Sequence, residues 1–219
     1  MQVLALSDIH GEERKFKEVL KREISFVDLV LIAGDITDFG SIDEIKSLLK
    51  DIEKPFFYVL GNCDPVEGID GIKGLERHYI HGRLIEFQGF YIAGLSGSGI
   101  TPFNTNIELS EDDFAKLIKH IYEKAKSFFG KMILVTHEPP ANSKVGLTRR
   151  GVFVGSYVLR RFIEEQKPLL VVCGHIHEGR GVEVIGETKV VNPGPVRAGF
   201  YALIKVEEGR RVDVELKRL

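Results

Sequence analysis

Hydrophobic and polar residues alternate along the first third of the chain in blocks that predict strands and helices in turn. Short apolar runs at 3–6, 27–33 and 55–60 predict three strands, and two stretches with apolar residues at helical spacing separate them. Ser41, with Glu44 three residues later, forms a capping box that predicts the start of the second helix. This order of elements is typical of a parallel sheet with right-handed crossovers.

The rest of the chain follows the same pattern less regularly. Ser110 predicts the start of an amphipathic helix that Gly130 would close, and a Gly- and Ser-rich loop is expected over 94–102. No repeat, linker or shift in composition marks a boundary, so we expect one domain over residues 1–219. The remaining predictions are a hairpin from 84–87 and 90–93, strands at 132–136 and 169–173, and a helix at 156–165. Two antiparallel strand pairs are also predicted near the end of the chain: 182–185 with 189–191 across Gly186-Glu187, and 201–206 with 212–216 across Glu208-Gly209.

Composition narrows the classes of protein to which the chain can belong. Its 219 residues are 43% hydrophobic and carry a net charge of −2, so a sizeable core is expected without the basic excess that long nucleic acids require. No apolar run approaches the roughly 20 residues that cross a bilayer, so no membrane partner is expected. Two cysteines are too few for a disulfide framework, and a cytoplasmic location is expected.

Polar residues of unusual chemistry cluster where five apolar runs end. The carboxyl ends of parallel strands line the crevice in which open α/β sheets bind ligands. A lone Gly-Asp or a lone His at a strand end is ordinarily structural, but five such coincidences favour a shared site. Four of the seven histidines lie in these clusters, which are Asp8-Ile9-His10, Gly34-Asp35, Gly61-Asn62-Cys63-Asp64, His137 and Gly174-His175-Ile176-His177.

The donor types in these clusters indicate metal chemistry. Two carboxylates, an amide oxygen and four imidazoles are too many for one ion and suit two ions, with one Asp shared between them. Mixed oxygen and nitrogen donors point to Mn, Fe, Zn or Ni, with Mn the ion expected in vitro. Two divalent ions against two carboxylates leave a positive site, which would attract and polarise a phosphate.

Taken in order, these motifs resemble the signature of the calcineurin-like metallophosphoesterases, and the chain is most similar to their small single-domain prokaryotic branch. The resemblance implies an α/β fold, a four-layer α-β-β-α sandwich with two mixed β-sheets. It implies a dinuclear phosphoesterase that hydrolyses small phosphodiesters or phosphomonoesters by in-line attack of a metal-bridging hydroxide. By the same resemblance, Asp8, His10 and His177 would hold the first ion, Asp35 would bridge, and Asn62, His137 and His175 would hold the second.

One position departs from the pattern of the family. The commonest motif has a His after the Gly-Asn pair, where it is thought to protonate the leaving oxygen, and this chain has Cys63. Some small members of the family also carry Cys there. Our hypothesis is that Cys63 or water acts as a weak acid, which would favour good leaving groups; the alternative is a buried turn cysteine without a chemical part.

Three arginines are candidates for binding the substrate phosphate. Arg149 and Arg150 lie in a Gly-bounded loop that could overhang the site, and Arg180 follows the His-x-His turn. A guanidinium can grip a phosphate with two hydrogen bonds, whereas the alternative is a solvated surface charge. His78 and His81 are expected to be surface or hairpin residues, and Asn192-Pro193-Gly194-Pro195 a structural corner.

Two other classes of function are alternatives to hydrolysis of a small phosphorylated substrate. A metal-binding scaffold for protein interactions is known on this fold in the retromer subunit, but that protein has lost part of its metal site, whereas every expected ligand position is filled here. A nuclease acting on long DNA or RNA is disfavoured by the near-neutral charge. The oligomeric state stays open, with a homodimer among the alternatives.

Overall fold

The strands and helices follow one another in nearly the order that the sequence predicts. The computed structural model of the chain describes residues 1–125, 128–207 and 209–219. The strands are β1 (Gln2–Leu6), β2 (Leu29–Ala33), β3 (Phe56–Val59), β4 (Leu84–Phe87), β5 (Phe90–Leu95), β6 (Ser98–Gly99), β7 (Glu108–Leu109), β8 (Met132–Thr136), β9 (Leu170–Val172), β10 (Gly181–Ile185), β11 (Thr188–Asn192), β12 (Phe200–Glu207) and β13 (Arg211–Arg218). The helices are α1 (Glu13–Glu23), α2 (Ile42–Leu49), α3 (Glu111–Ala125) and α4 (Tyr157–Gln166).

Two large sheets of mixed direction form the centre of the fold. The first has the strand order β13-β12-β1-β2-β3, with β1, β2 and β3 parallel and β12 antiparallel to β1. The second has the order β10-β11-β9-β8-β5-β4, in which β5, β8, β9 and β11 run parallel. The predicted pairing of the first three strands and the three predicted hairpin pairs are confirmed.

Alternation along the strands explains why the sheets stack face to face. Val3 and Ala5 of β1 point into the core between the two sheets, whereas Leu4 and Leu6 point towards α1 and α2. On the second sheet, alternate residues of β8 face the inter-sheet core and the layer of α3 and α4. The result is the four-layer α-β-β-α sandwich that the family resemblance implied, because each sheet has two apolar faces to cover.

Serine residues start three of the four α-helices in the described part of the chain. The Ser41 hydroxyl accepts a hydrogen bond from Glu44 N (3.3 Å), which confirms that the second helix starts at Ser41. Ser110 exchanges hydrogen bonds with Asp113, and Ser156 caps α4 by accepting from Leu159 N (3.1 Å). These caps satisfy amide groups that the first turn of a helix leaves without partners.

Two predicted details differ in the structure. Helix α3 is described as far as Ala125, and Gly130 lies in a separate short 3₁₀ turn (Phe129–Lys131), so Gly130 does not close the helix. The predicted loop at 94–102 is partly extended, because β5 continues to Leu95 and β6 pairs with β7. Of the predicted Glu208-Gly209 turn, Glu208 lies outside the described residues. Within the described ranges, no helix combines the length and apolar character that crossing a bilayer would require.

Candidate metal centre

The predicted ligands meet at one edge of the sandwich, where parallel strands of both sheets end. Asp8 and His10 follow β1, Asp35 follows β2, and Asn62 follows β3 in the first sheet; His137 follows β8 in the second. His175 and His177 lie on the turn after β9. The two sheets therefore supply ligands from opposite sides of one cleft.

Backbone conformation at this edge is strained. Asp8, His10, Asp35 and His175 all adopt left-handed conformations, with φ between 48° and 66°. Residues other than glycine rarely adopt this region, and when they do they concentrate at functional sites. Four of the seven predicted ligands are thus held in conformations that the fold imposes on them.

Gly34 and Gly61 allow the turns to pack closely. A side chain at Gly34 would lie 2.6 Å from His137 Nδ1, and one at Gly61 would overlap the Asp35 carboxylate. Gly34 also has a positive φ of 84°. Glycine is therefore required before Asp35 and before Asn62 because of the space that neighbouring ligands occupy.

One group of side chains surrounds Asp8. His177 Nε2 lies 3.3 Å and His10 Nε2 3.9 Å from Asp8 Oδ1, and the two imidazole nitrogens are 3.1 Å apart. Ligand atoms around one ion at about 2.1 Å are separated by about 3 Å when they are at right angles. The group Asp8, His10 and His177 thus has the spacing of a shared cation site.

Asp35 joins this group to a second one. Asp35 Oδ2 lies 3.6 Å from His10 Nε2 and 3.3 Å from His137 Nε2, and its other oxygen accepts a hydrogen bond from Cys63 N (2.8 Å). His137 Nε2 is 3.0 Å from Asn62 Oδ1, and the His175 ring lies edge-on to the His137 ring with centroids 5.1 Å apart. A single carboxylate oxygen therefore faces histidines of both groups.

The electrostatics of the centre call for positive charge. Burial raises the pKa of Asp35, but the neighbouring His137 outweighs it and holds that pKa well below the ordinary value. Burial lowers the pKa of His137, yet the charges of Asp35 and Asp8 raise it to about 10. Burial together with the positive charge of His137 lowers the pKa of His175 to about 4, so this imidazole is neutral and has a free electron pair.

Two further observations fit a bound cation. Asp8 Oδ2 is fully buried, and the described residues offer it no hydrogen-bond partner, which is costly for a carboxylate unless a cation lies beside it. His137 Nδ1 lies 2.7 Å from Ala33 O and would donate its proton there, leaving Nε2 to face Asp35. Metal-binding histidines are oriented by such a bond from the second ring nitrogen.

Comparison with known families agrees with this geometry. The sequence profile of the family described as calcineurin-like phosphoesterase matches residues 1–179. The chain belongs to that family. The family consists of phosphoesterases that bind divalent metal ions, and the groups around Asp8 and Asp35 are candidate ligands for such ions.

Individual relatives extend the comparison. The chain is 31% identical over 201 residues to the uncharacterized protein MJ1162 of Methanocaldococcus jannaschii, covering 89% of this chain and 88% of that protein. It is 27% identical over 167 residues to a probable glycerophosphodiester phosphodiesterase, GpdQ, of Arcobacter nitrofigilis, covering 68% of this chain and 56% of the relative. The crystal structure of TT1561 of Thermus thermophilus has the same fold, with a TM-score of 0.76 at 19% identity and coverage of 98% and 97%.

Cys63 lies at the centre as well. Its thiol forms a group with His10 and Asp35 whose ligand atoms are all within 4.8 Å of one another, and Asn62 Nδ2 donates to its sulfur at 3.6 Å. Burial and the charge of Asp35 raise the pKa of the thiol, so it stays protonated at neutral pH. The chemical role of Cys63 stays a prediction.

The three predicted phosphate-binding arginines occupy different surroundings. Arg149 and Arg150 are exposed, and the backbone of Arg149 donates to Glu178, the neighbour of His177. The Arg180 guanidinium lies 4.6 Å from the centre of the Phe200 ring and donates to a backbone carbonyl of β13. Arg180 is thus engaged in packing against the first sheet, and binding of substrate by any of the three stays a prediction.

Arg197 is a cation near the centre that the sequence reasoning missed. It lies on a short 3₁₀ turn (Val196–Ala198) whose backbone is fixed to β1, with Arg197 N donating to Asp8 O at 3.2 Å. The pKa of His177 is raised, because the lowering effect of burial is outweighed by the interaction of His177 with Asp8. The positive charge of Arg197 acts in the opposite direction and lowers this pKa. In the described part of the chain Arg197 has no ion-pair partner. The only signal in the sequence was its place two residues after the predicted Pro-Gly-Pro corner.

Asp64 has a structural part that its motif did not reveal. The carboxylate is fully buried and accepts hydrogen bonds from Ile36 N (3.2 Å), Thr37 N (2.8 Å), Thr37 Oγ1 (3.0 Å) and Gly61 N (2.8 Å). It therefore ties the turn that carries Asp35 to the turn that carries Asn62. Outside the centre, His78 and His81 are half-buried and precede the β4–β5 hairpin, instead of lying on the surface or in the hairpin as predicted: His78 stacks on Phe56, and His81 accepts a hydrogen bond from a backbone amide.

Proposed function

We propose that the chain is a dinuclear phosphoesterase that hydrolyses small phosphodiesters or phosphomonoesters. The observation that supports this best is the convergence of imidazole groups on Asp8 Oδ1 and Asp35 Oδ2, beside an Asp8 Oδ2 that is buried and has no hydrogen-bond partner among the described residues. A site built only for stability would pair that oxygen with a donor. The near-neutral net charge argues against long nucleic acids as substrates.

The proposed ligand assignment follows the two groups of the centre. Asp8, His10 and His177 would hold one ion, and Asn62, His137 and His175 the other. Asp35 would be shared, a role supported by the position of its Oδ2 between His10 and His137. Mixed oxygen and imidazole donors suit Mn, Fe, Zn or Ni, and we propose Mn²⁺ as the ion for reconstitution.

When bound, the two ions would supply positive charge and lower the pKa of coordinated water, as in other two-metal hydrolases. The residues of the chain hold this arrangement before substrate arrives. His137 would donate from Nδ1 to Ala33 O, which keeps Nε2 directed into the centre. Asp64 fixes the relative position of the Asp35 and Asn62 turns. A site organised in this way needs little rearrangement during the reaction.

Arg197 is the side chain that we propose for orienting the substrate. Its backbone is held against Asp8, and its positive charge acts on His177, so its side chain starts beside the first group. An arginine without an ion-pair partner can form two parallel hydrogen bonds to a phosphate. The distant relationship to a probable glycerophosphodiester phosphodiesterase supports a diester as the first substrate to test.

The test combines metal content with hydrolysis. We expect the full chain, reconstituted with Mn²⁺, to retain two ions per chain by elemental analysis and to hydrolyse bis(p-nitrophenyl) phosphate, p-nitrophenyl phosphate or a member of a panel of cyclic nucleotides. Asp35→Asn should lose metal and activity together, whereas Asp70→Asn, a change of the same type at an exposed position, should keep both. Retention of no metal by the wild type, or activity unaffected by Asp35→Asn, would overturn the proposal.

A further inference from the structure

Two large apolar side chains are exposed on one loop beside the metal centre. Phe103 is 81% exposed and Ile100 is 77% exposed, the highest values among the large hydrophobic residues that the structure describes. Single exposed apolar residues are common on protein surfaces. Two of them three positions apart on a loop at the edge of a functional site are a more specific feature.

Both ends of this loop are attached to turns that carry predicted ligands. At its start, Gly99 N donates to Glu138 Oε2 (2.9 Å), and Glu138 follows His137 in the chain. At its end, Asn106 N donates to Asn62 O (2.9 Å), and the Asn106 side chain donates to a neighbouring carbonyl in the same turn. Residues 100–105 therefore span the side of the centre formed by His137 and Asn62.

The loop is also ordered from within. Glu108 Oε1 accepts hydrogen bonds from Thr101 Oγ1 (2.6 Å), Thr105 Oγ1 (2.6 Å) and Thr105 N (2.9 Å). Phe103 N donates in turn to Thr101 Oγ1 (3.1 Å). The loop backbone on both sides of Phe103 is thus ordered, so binding against the loop would cost little backbone entropy.

A second exposed aromatic residue borders the same turn. Phe39 N donates to Cys63 O (3.1 Å). The carbonyl of the preceding residue, Asn62, accepts from Asn106 N, at the end of the loop. Phe39 is exposed, as Phe103 is. Phe39 and the loop of Ile100 and Phe103 are thus both attached to the turn that carries Asn62.

We infer that the loop of Ile100 and Phe103 contacts a flat, apolar ring on the substrate, so that the chain prefers phosphoesters of aromatic alcohols. This inference rests on the proposed function, because the phosphate must be held at the metal centre for its ring to reach the loop. The occupant is a part of the substrate because both ends of the loop are hydrogen-bonded to the turns of the predicted ligands. An aromatic ring packed on a phenylalanine gains affinity beyond simple burial of area.

The test uses phosphonates, which bind without being hydrolysed. Isothermal titration calorimetry of the full chain loaded with Mn²⁺ at pH 8 compares phenylphosphonate with methylphosphonate. We expect the phenyl compound to bind about three- to tenfold more tightly, which is the gain typical of an aromatic pair. Phe103→Ser should remove this preference and leave the affinity for methylphosphonate unchanged.

Phe26→Ser is the matched control. Phe26 is 74% exposed, but it precedes β2 and so lies at the amino end of that strand, opposite the centre. The control should keep the full preference for phenylphosphonate. Equal binding of the two phosphonates by the wild type, or a preference that survives Phe103→Ser, would overturn the inference alone.

Two other outcomes have separate meanings. If neither phosphonate binds in a metal-dependent way, the proposed function fails and this inference fails with it. If sedimentation shows a dimer that Phe103→Ser dissociates while the phenyl preference persists, the loop is covered by a second copy of the chain and the inference is wrong.

Discussion

Replacing Asp64 tests whether one buried carboxylate holds two ligand-bearing turns together. Asp64 accepts four hydrogen bonds, three of them from backbone N–H groups, which can only donate. Burial and the charge of Asp35 raise the pKa of Asp64 to about 7, and the three amide donors oppose that increase. The amide donors alone favour the ionised carboxylate, and an Asn reproduces neither its charge nor its second acceptor oxygen.

The size of the effect follows from the hydrogen bonds that are lost. A hydrogen bond to a charged group contributes about 1.5–3 kcal/mol, and a buried donor without an acceptor costs about 1–3 kcal/mol. Asp64→Asn keeps one acceptor oxygen and turns its NH₂ towards at least one backbone N–H. We therefore expect the free energy of unfolding to fall by about 2–3 kcal/mol. Asp64→Ala leaves three buried amides without an acceptor, and we expect about 4 kcal/mol after partial relaxation.

The assay separates folding from metal binding. Guanidinium denaturation in the presence of EDTA gives the free energy of unfolding without a contribution from bound ions. Calorimetric titration of the folded variants with Mn²⁺ then measures affinity, which we expect to fall about 10- to 100-fold because Asp64 orients ligands without being one. Asp70→Asn, at an exposed position, controls for the loss of a carboxylate.

The reasoning would be refuted by a small effect. If Asp64→Asn lowers the free energy of unfolding by less than about 1 kcal/mol, the four hydrogen bonds do not join the turns in the way described. Unchanged Mn²⁺ affinity in a destabilised variant would show that the turns keep their positions without Asp64.

Three further predictions concern single side chains. Arg197→Gln should raise KM for a phosphomonoester at least about tenfold with metal content unchanged, since one charged contact to phosphate is lost; an unchanged KM would remove Arg197 from the site. Cys63→His should raise turnover of poor leaving groups more than of activated aryl esters, and equal effects would argue against an acid at this position. His81 accepts from Ser96 N (2.9 Å), and burial lowers its pKa. The stability that its neutral form contributes is thus fully present above the unfolded pKa of about 6.5 and is lost as the pH falls. The difference in unfolding free energy between wild type and His81→Gln should therefore shrink from about pH 7.5 to about pH 5. A constant difference would contradict this.

The strands that carry the site were predictable because their patterns are local. Five apolar runs end in Gly, Asp, Asn or His, and the structure places all five ends at one edge of the sandwich. The pairing of β1 with β12 was not predictable in the same way, because it joins residues about 200 positions apart. No short-range pattern encodes such a contact. The organisation of residues 1–219 as a single domain stays a prediction.

Within the site, residue types could be predicted but supporting contacts could not. Carboxylates and imidazoles at strand ends indicate their chemistry from their identity alone. The parts that Asp64 and Arg197 play depend on which backbone groups the folded chain brings beside them. The same holds for Glu108, which orders a loop that the sequence marks only as rich in Gly and Ser.

Strain and charge at the centre lead to one physical conclusion. Four predicted ligands are in left-handed conformations, each costing about 1–2 kcal/mol, and two carboxylates are buried close together. Hydrogen bonds from Asp8 N to Gly34 O (3.0 Å) and from His10 N to Asp35 O (2.9 Å) hold the turns, but they leave Asp8 Oδ2 without a partner. A cation would satisfy that oxygen and offset the repulsion between the two carboxylates. The same geometry that weakens the metal-free fold therefore increases the free energy gained when metal binds.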